Sequence, residues 1–196
     1  MVHRNTTLLA AALVTSVTFA HAQAHAQAPG AAQAEPGPKV GDVAPDFTLP
    51  GATIAGVSRT PVTLSAFKGQ TVVIAFFPKA RTSGCTAQMT GYRDQWATLF
   101  NGGKGVKVIA ISMDADTTQA DWAREAHLPM TFASDTKGEA GKRYGAWTEG
   151  RTAEARLLYV VGPDGRIAWT AKPFKPMVAD SYAELGGAVK KVAGFQ

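Results

Sequence analysis

Residues 76–86 are FFPKARTSGCT, which joins a strand pattern to a helix pattern. The preceding run, Thr71–Phe77, is apolar and rich in β-branched residues, which is typical of a buried strand. After Cys85, large apolar residues recur at helical spacing and predict a helix with a core-facing stripe. That stripe consists of Met89, Tyr92, Trp96 and Phe100. The sequence therefore predicts a strand, a turn and a helix, with Cys85 in the first turn of the helix.

A cysteine at this position has two interpretations. The free backbone N–H groups and the positive end of the helix dipole stabilise a thiolate there, and the thiolate is the reactive form of cysteine. A lone cysteine is also commonly a small buried apolar residue with no chemical role. The strand–turn–helix position by itself leaves both interpretations of Cys85 open.

The rest of the chain alternates strand and helix patterns. Further strand patterns span Val106–Met113, Leu157–Val161 and Arg166–Ala171, and the turn GPDG at 162–165 joins the last two as a hairpin. Further helix patterns span Gln119–Ala126, Gly138–Tyr144 and Ser181–Val192. We also expect a strand between the first two of these helices, without assigning its residues. This order predicts an α/β fold with a hairpin at one edge of the sheet.

Composition excludes several classes of protein. Hydrophobic residues make up 45% and charged residues 18% of 196 residues, which indicates one globular domain. The single cysteine excludes an intrachain disulfide, a C-x-x-C pair and zinc sites built from several thiolates. His127 is the only histidine after residue 38, so we expect no metal site and no cofactor, and a Cys–His acyl-transfer enzyme is disfavoured. The net charge of +5 is dispersed along the chain, which argues against nucleic-acid binding.

The N-terminal segment resembles a secretory signal peptide. Arg4 precedes the apolar run Leu8–Ala20, and A-x-A cleavage motifs follow at 20–22 and 24–26. The apolar run is too short to cross a bilayer as a helix, so we expect no stable membrane insertion. We predict a signal peptide at 1–22, a flexible linker at 23–38 and a single domain at 39–196. The mature protein is then periplasmic or secreted.

The pattern Pro78-x-x-x-Thr82-x-x-Cys85 resembles the active-site signature of the peroxiredoxins, AhpC/TSA-like thiol peroxidases. Three further segments are similar to segments of that family and occur in the same order: Gly41–Leu49, Leu64–Gly69 and Tyr144–Trp147. The Gly-Cys-Thr at the end of the signature is nearest to the bacterioferritin-comigratory, or peroxiredoxin Q, branch. The resemblance implies a thioredoxin-like fold, with a central mixed β-sheet flanked by helices.

The resemblance also implies a role for four residues. Cys85 would be the nucleophile that attacks a hydroperoxide and becomes a sulfenic acid. Thr82 would hydrogen-bond the sulfur or the peroxide, and Pro78 would shield the sulfur from water. Arg156 lies where the family carries its active-site arginine, and would stabilise the thiolate and orient the substrate.

The sequence departs from the family pattern at several positions. Thr90 occupies the position of the usual resolving cysteine, which makes this a one-Cys form that needs an external thiol reductant or another subunit. Gln88 stands where glutamate is common and Arg81 where an aromatic residue is frequent. Arg81 either opens the pocket or adds a second positive charge beside the thiolate. Whether Arg81 and Gln88 belong to the site, and whether the protein is a monomer or a homodimer, is left open by the sequence.

Two other functions are compatible with such a fold. One is a thiol–disulfide exchange partner, which Thr82 argues against because it occupies the position of the nucleophile in a C-x-x-C motif. The other is a non-catalytic binding protein that has kept the fold. A peroxidase requires an activated Cys85 that depends on Arg156, whereas a binding protein does not.

Overall fold

The computed structural model describes Met1 and residues 37–196. Apart from Met1, the predicted signal peptide lies outside the described residues, as does the predicted linker before Gly37. Within residues 37–196, no helix combines the length and the apolar character needed to cross a membrane.

The described chain alternates strands and helices. The strands are β1 (Thr48–Leu49), β2 (Gly51–Thr53), β3 (Gly56–Val57), β4 (Val62–Thr63), β5 (Thr71–Phe76), β6 (Val106–Ser112), β7 (Thr131–Ser134), β8 (Leu158–Val161) and β9 (Ile167–Ala171). The α-helices are α1 (Ser83–Asp94), α2 (Trp96–Phe100), α3 (Asp116–Glu125), α4 (Glu139–Tyr144) and α5 (Ala179–Ala193). Short 3-10 helices span Leu64–Phe67 and Asn101–Gly103.

Seven strands form one mixed sheet in the order β3-β2-β7-β6-β5-β8-β9, and β1 pairs separately with β4. Strands β5, β6 and β7 run parallel, whereas β8 is antiparallel to β5 and forms a hairpin with β9 at one edge. The predicted α/β class, with a central mixed sheet flanked by helices, is confirmed. Strand β5 lies inside the sheet between β6 and β8, and the cysteine segment begins where β5 ends.

Each face of β5 packs into a separate core. Val73, Ala75 and Phe77 belong to the cluster formed with α1, α2, α3 and α5. Val72 and Ile74 belong to the opposite cluster, which includes residues of α4 and of the N-terminal strands. Because successive side chains of a strand point to opposite faces, a continuous apolar run suits a strand buried on both sides. This burial fixes the position of β5 and therefore the point at which the following loop begins.

Three features of the secondary structure were not predicted correctly or were not assigned to particular residues. The stripe after Cys85 spans two helices rather than one, because Gln95 has φ −110° and ψ 20° and interrupts the helical backbone. The strand that we expected but did not assign is β7. The short strands β1 to β4 were not predicted, because two or three residues are too few for an alternating pattern to be recognised.

Candidate active site

The loop after β5 places Cys85 in the first turn of α1. Thr82 occupies the N-cap position, and its carbonyl accepts the first helical hydrogen bond, from Thr86 N at 2.8 Å. The first turn contains no acidic residue. Its backbone N–H groups lack intrahelical partners and favour a negative charge nearby. The predicted strand–turn–helix environment of Cys85 is thus present in the structure.

Arg156 contacts the cysteine directly. Arg156 Nη2 lies 3.3 Å from Cys85 Sγ, and Cys85 is 0% exposed. These residues are 71 positions apart in sequence, and the pairing of β8 with β5 brings them together. Phe76 N donates to Leu157 O at 2.9 Å, and Phe174 N donates to Arg156 O at 3.0 Å. The backbone carbonyls of Arg156 and Leu157 are therefore both anchored.

Gly84 makes room for this contact. A Cβ atom at position 84 would lie 3.2 Å from Arg156 Nη2, closer than most Cβ contacts. Any larger residue would therefore crowd the guanidinium group beside the sulfur.

A buried hydrogen-bond chain continues from Arg156 into the core. Arg156 Nη1 donates a hydrogen bond to Gln88 Oε1, and Gln88 is 0% exposed. Gln88 Nε2 in turn donates to the hydroxyl of Tyr92 at 3.0 Å. Burial raises the pKa of Tyr92 well above its usual range, so the phenol stays neutral. The chain thus runs from Cys85 through Arg156 and Gln88 to Tyr92.

Thr82 and Pro78 lie in the loop between β5 and α1. Neither side chain forms a hydrogen bond with the Cys85 sulfur. The Thr82 side chain is exposed, and its hydroxyl donates to Lys79 O at 2.9 Å. Since that bond uses the hydroxyl hydrogen, the lone pairs of the oxygen are free to accept a hydrogen bond from a substrate. Pro78 is partly buried.

Arg81 is directed away from the cysteine. Its guanidinium forms two hydrogen bonds with Glu125, at 2.7 and 3.1 Å, and a third with Thr118 O at 3.3 Å. The hydrogen bond with Glu125 raises the pKa of Arg81. Of the two residues left open by the sequence, Gln88 therefore contacts the site and Arg81 pairs with the end of α3.

A buried carboxyl group lies two residues before Arg156. Glu154 is 1% exposed, and neither of its oxygens accepts a hydrogen bond from the described residues. Burial and the carboxylate of Asp135 raise the pKa of Glu154 to about 10, so its carboxyl is protonated at neutral pH. Asp135 accepts hydrogen bonds from the backbone N–H groups of Glu139 and Gly141, at 2.9 and 2.8 Å.

Sequence reasoning missed the hydrogen bond of the Tyr92 hydroxyl and the burial of Glu154. The helical spacing assigned Tyr92 to the core, and its ring does pack there, but its hydroxyl belongs to the Arg156 chain. A tyrosine one helical turn after a glutamine, within an otherwise apolar stripe, is the signal that points to this hydrogen bond. Glu154 carries no comparable local signal.

Comparison with known proteins identifies relatives of this chain. Residues 40–170 match the AhpC/TSA family. The chain is 34% identical over 143 residues to peroxiredoxin Bcp of Escherichia coli, covering 70% of this chain and 87% of that protein. It is 33% identical over 121 residues to the chloroplastic peroxiredoxin Q of Sedum lineare, covering 61% and 64% of the two chains. The crystal structure of peroxidoxin BcpB from Mycobacterium tuberculosis superimposes with a TM-score of 0.66 at 26% identity, covering 79% of this chain and 97% of that one.

Proposed function

Since this chain belongs to the AhpC/TSA family and is a thiol-dependent peroxidase, we propose that it is a one-Cys peroxiredoxin acting through Cys85. Its substrates are hydrogen peroxide or organic hydroperoxides, and an external thiol recycles it. The observation that carries this proposal is the 3.3 Å contact between Arg156 Nη2 and Cys85 Sγ in the first turn of α1. The guanidinium group places a positive charge and a hydrogen-bond donor at the sulfur, which is the environment in which cysteines act as nucleophiles.

The first half of the reaction transfers one oxygen atom. The Cys85 thiolate attacks the terminal oxygen of the hydroperoxide, an S–O bond forms, and the O–O bond breaks. The sulfur is oxidised and the peroxide is reduced. The peroxide's own proton ends on the leaving oxygen, which departs as water or an alcohol, and the sulfenate takes up a solvent proton.

The surrounding residues contribute donors and acceptors to this step. As the attack proceeds, negative charge moves from the sulfur to the leaving oxygen, where the positive charge of Arg156 stabilises it. The lone pairs of Thr82 Oγ1 accept the O–H of the peroxide, because the Thr82 hydrogen is already donated to Lys79 O. Pro78 limits the access of water to the sulfur.

The second half needs a thiol from outside the chain, because Cys85 is the only cysteine. A thiol attacks the sulfenic sulfur, water leaves and a mixed disulfide forms. A second thiol then releases the disulfide of the reductant and restores the Cys85 thiolate. Thr90, at the position of a resolving cysteine, donates its hydroxyl within α1 to Thr86 O at 2.8 Å.

Single-turnover experiments test the one-Cys proposal. Without a thiol, we expect the protein to consume one equivalent of peroxide and to gain a mass of about 16 Da, one oxygen, as a sulfenic acid that dimedone traps. Addition of excess dithiothreitol should restart peroxide consumption. Continued turnover without any thiol, or equal peroxide loss with the Cys85→Ser variant, would contradict the proposal.

We further propose that the protein is exported to the periplasm or secreted. The support is the sequence alone: Arg4, the apolar run at 8–20 and the A-x-A motif at 20–22. N-terminal sequencing of the protein isolated from an expressing bacterium should then begin after Ala22 or Ala26. A protein that retains Met1 and fractionates with the cytosol would contradict export.

A further inference from the structure

We propose that Tyr92 is a positioning residue for peroxide reduction, holding the Gln88 amide so that Gln88 holds the Arg156 guanidinium against Cys85. This inference rests on the proposed function and adds to it a residue that touches neither the sulfur nor the substrate. It follows from the hydrogen-bond chain, from the buried position of Gln88 and from the planar geometry of arginine.

The guanidinium group of Arg156 is planar, and its donors have fixed directions. One terminal nitrogen, Nη1, donates to Gln88 Oε1, and the other, Nη2, lies 3.3 Å from Cys85 Sγ. Because the two nitrogens belong to one rigid plane, a partner that fixes Nη1 also fixes the direction of Nη2. The position of the Gln88 oxygen therefore determines how well Arg156 meets the sulfur.

The amide of Gln88 has two different ends. Its oxygen accepts hydrogen bonds, and its NH₂ group only donates. Arg156 only donates, so the oxygen must face it and the NH₂ group must find an acceptor on the opposite side. Gln88 is 0% exposed, and its NH₂ group donates to the Tyr92 hydroxyl at 3.0 Å. Tyr92 thus satisfies the end of the amide that would otherwise be buried without a partner.

Aromatic packing keeps the Tyr92 hydroxyl, the acceptor of this hydrogen bond, in a fixed position. It lies one helical turn after Gln88 in α1, and its ring centroid is 5.4 Å from that of Phe100 and 6.0 Å from those of Phe174 and Tyr182. The ionisable groups that act on its hydroxyl are Arg156 and Tyr182, and the phenol stays neutral. The aromatic packing fixes the ring, and the ring fixes the hydroxyl.

The Tyr92→Phe variant tests the inference because it keeps the ring and removes only the acceptor. We expect the rate constant for hydrogen peroxide at pH 7 to fall roughly tenfold, as loss of one hydrogen bond to a group that positions a charge implies. We also expect the acid limb of the pH–rate profile to move to higher pH, because a less well placed Arg156 guanidinium stabilises negative charge on the sulfur less. Stopped-flow mixing across a pH series measures both.

Tyr182→Phe is the matched control. It removes a hydroxyl from the same aromatic cluster, but that hydroxyl bonds the backbone carbonyls of Ala87 and Pro176 at 3.3 and 3.0 Å. Thermal unfolding should show a similar loss of stability in the two variants, while only Tyr92→Phe moves the pH–rate profile. Equal shifts in the two profiles would assign Tyr92 a merely structural role and overturn the inference.

A double-mutant cycle with Gln88→Leu tests whether Tyr92 acts through Gln88. If it does, Tyr92→Phe should have little further effect on the rate once Gln88 is replaced. Additive effects, or a Tyr92→Phe profile identical to that of the wild type, would refute the inference. A wild type that reacts as slowly as a free thiol would instead refute the proposed function, so the two failures are distinguishable.

Discussion

The Arg156→Met variant is expected to react with hydrogen peroxide roughly 10²- to 10³-fold more slowly than the wild type, the range typical for loss of a donor that stabilises transition-state charge. Methionine keeps an unbranched side chain and removes both the positive charge and the donor 3.3 Å from Cys85 Sγ. The Cys85 thiolate and the leaving oxygen of the peroxide then both lose the guanidinium group that stabilises their negative charge. Stopped-flow measurement of the second-order rate constant at pH 7 gives the comparison.

Two further variants show whether the effect is specific to this arginine. Arg156→Lys keeps the charge without the planar group that contacts both Gln88 and Cys85, so its rate should fall between those of Arg156→Met and the wild type. Arg81→Met removes an arginine that lies four residues from Cys85 but pairs with Glu125. It should stay within about twofold of the wild type, because an exposed ion pair contributes little. Equal rates for Arg156→Met and Arg81→Met would show that Arg156 has no catalytic role.

The Glu154→Gln variant is expected to be more stable than the wild type at pH 7. In the unfolded chain, Glu154 has a pKa near 4.5, whereas burial and the Asp135 carboxylate raise it to about 10 in the folded protein. Folding at pH 7 therefore requires that Glu154 takes up a proton. Because pH 7 lies 2.5 pH units above the unfolded pKa of 4.5, this protonation costs about 3 kcal/mol. Glutamine is neutral at every pH and can occupy nearly the same volume, so the variant should gain up to about this amount.

The sign of the pH dependence follows from the same pKa shift. Between pH 4.5 and about 10, the folded protein binds one proton more than the unfolded chain at Glu154, so this residue makes stability fall as pH rises. Its contribution is fully present below pH 4.5 and is lost progressively up to pH 10. The advantage of Glu154→Gln should therefore be small at pH 4 and grow towards pH 9.

Urea unfolding at several pH values measures this difference, with Glu149→Gln as the control. Glu149 is an exposed acid in the same loop, so its replacement should change neither the free energy of unfolding nor its pH dependence appreciably. A Glu154→Gln variant that is less stable than the wild type at pH 8 would mean that Glu154 is charged in the folded protein.

The local sequence pattern correctly predicted the strand before Cys85 and the helix that contains it. The apolar run at 71–77 and the helical stripe after Cys85 are short-range signals, and both correspond to elements of the structure. The helix break at Gln95 was not predicted because α1 and α2 both face the same core, so the apolar spacing continues across the interruption. Strand β2 depends on pairing with the distant β7, which the local sequence does not encode, and β1, β3 and β4 are only two residues long.

The site itself could be predicted only in part. No spacing rule connects Cys85 with Arg156, since the antiparallel pairing of β8 with β5 joins them, and the family resemblance supplied that residue. Gln88 and Arg81 were equally ambiguous as residue types, and only the tertiary structure directs one to Arg156 and the other to Glu125. The protonated state of Glu154 arises from burial beside Asp135, which is a property of the folded chain.

Membership in a peroxidase family sets aside the non-catalytic interpretation that the sequence left open. Because the Cys85 sulfur is fully buried in the described structure, a peroxide or a thiol reductant can reach it only when the surrounding side chains move aside.

The central claim is that Cys85 is an activated peroxidatic thiolate, and rapid mixing of the reduced protein with hydrogen peroxide tests it most directly. Tryptophan fluorescence and thiol loss would be followed at pH 7 under excess peroxide, with Cys85→Ser as the control. We predict that the wild type reacts several orders of magnitude faster than free cysteine and that the variant does not react. A wild-type rate equal to that of free cysteine would contradict the account.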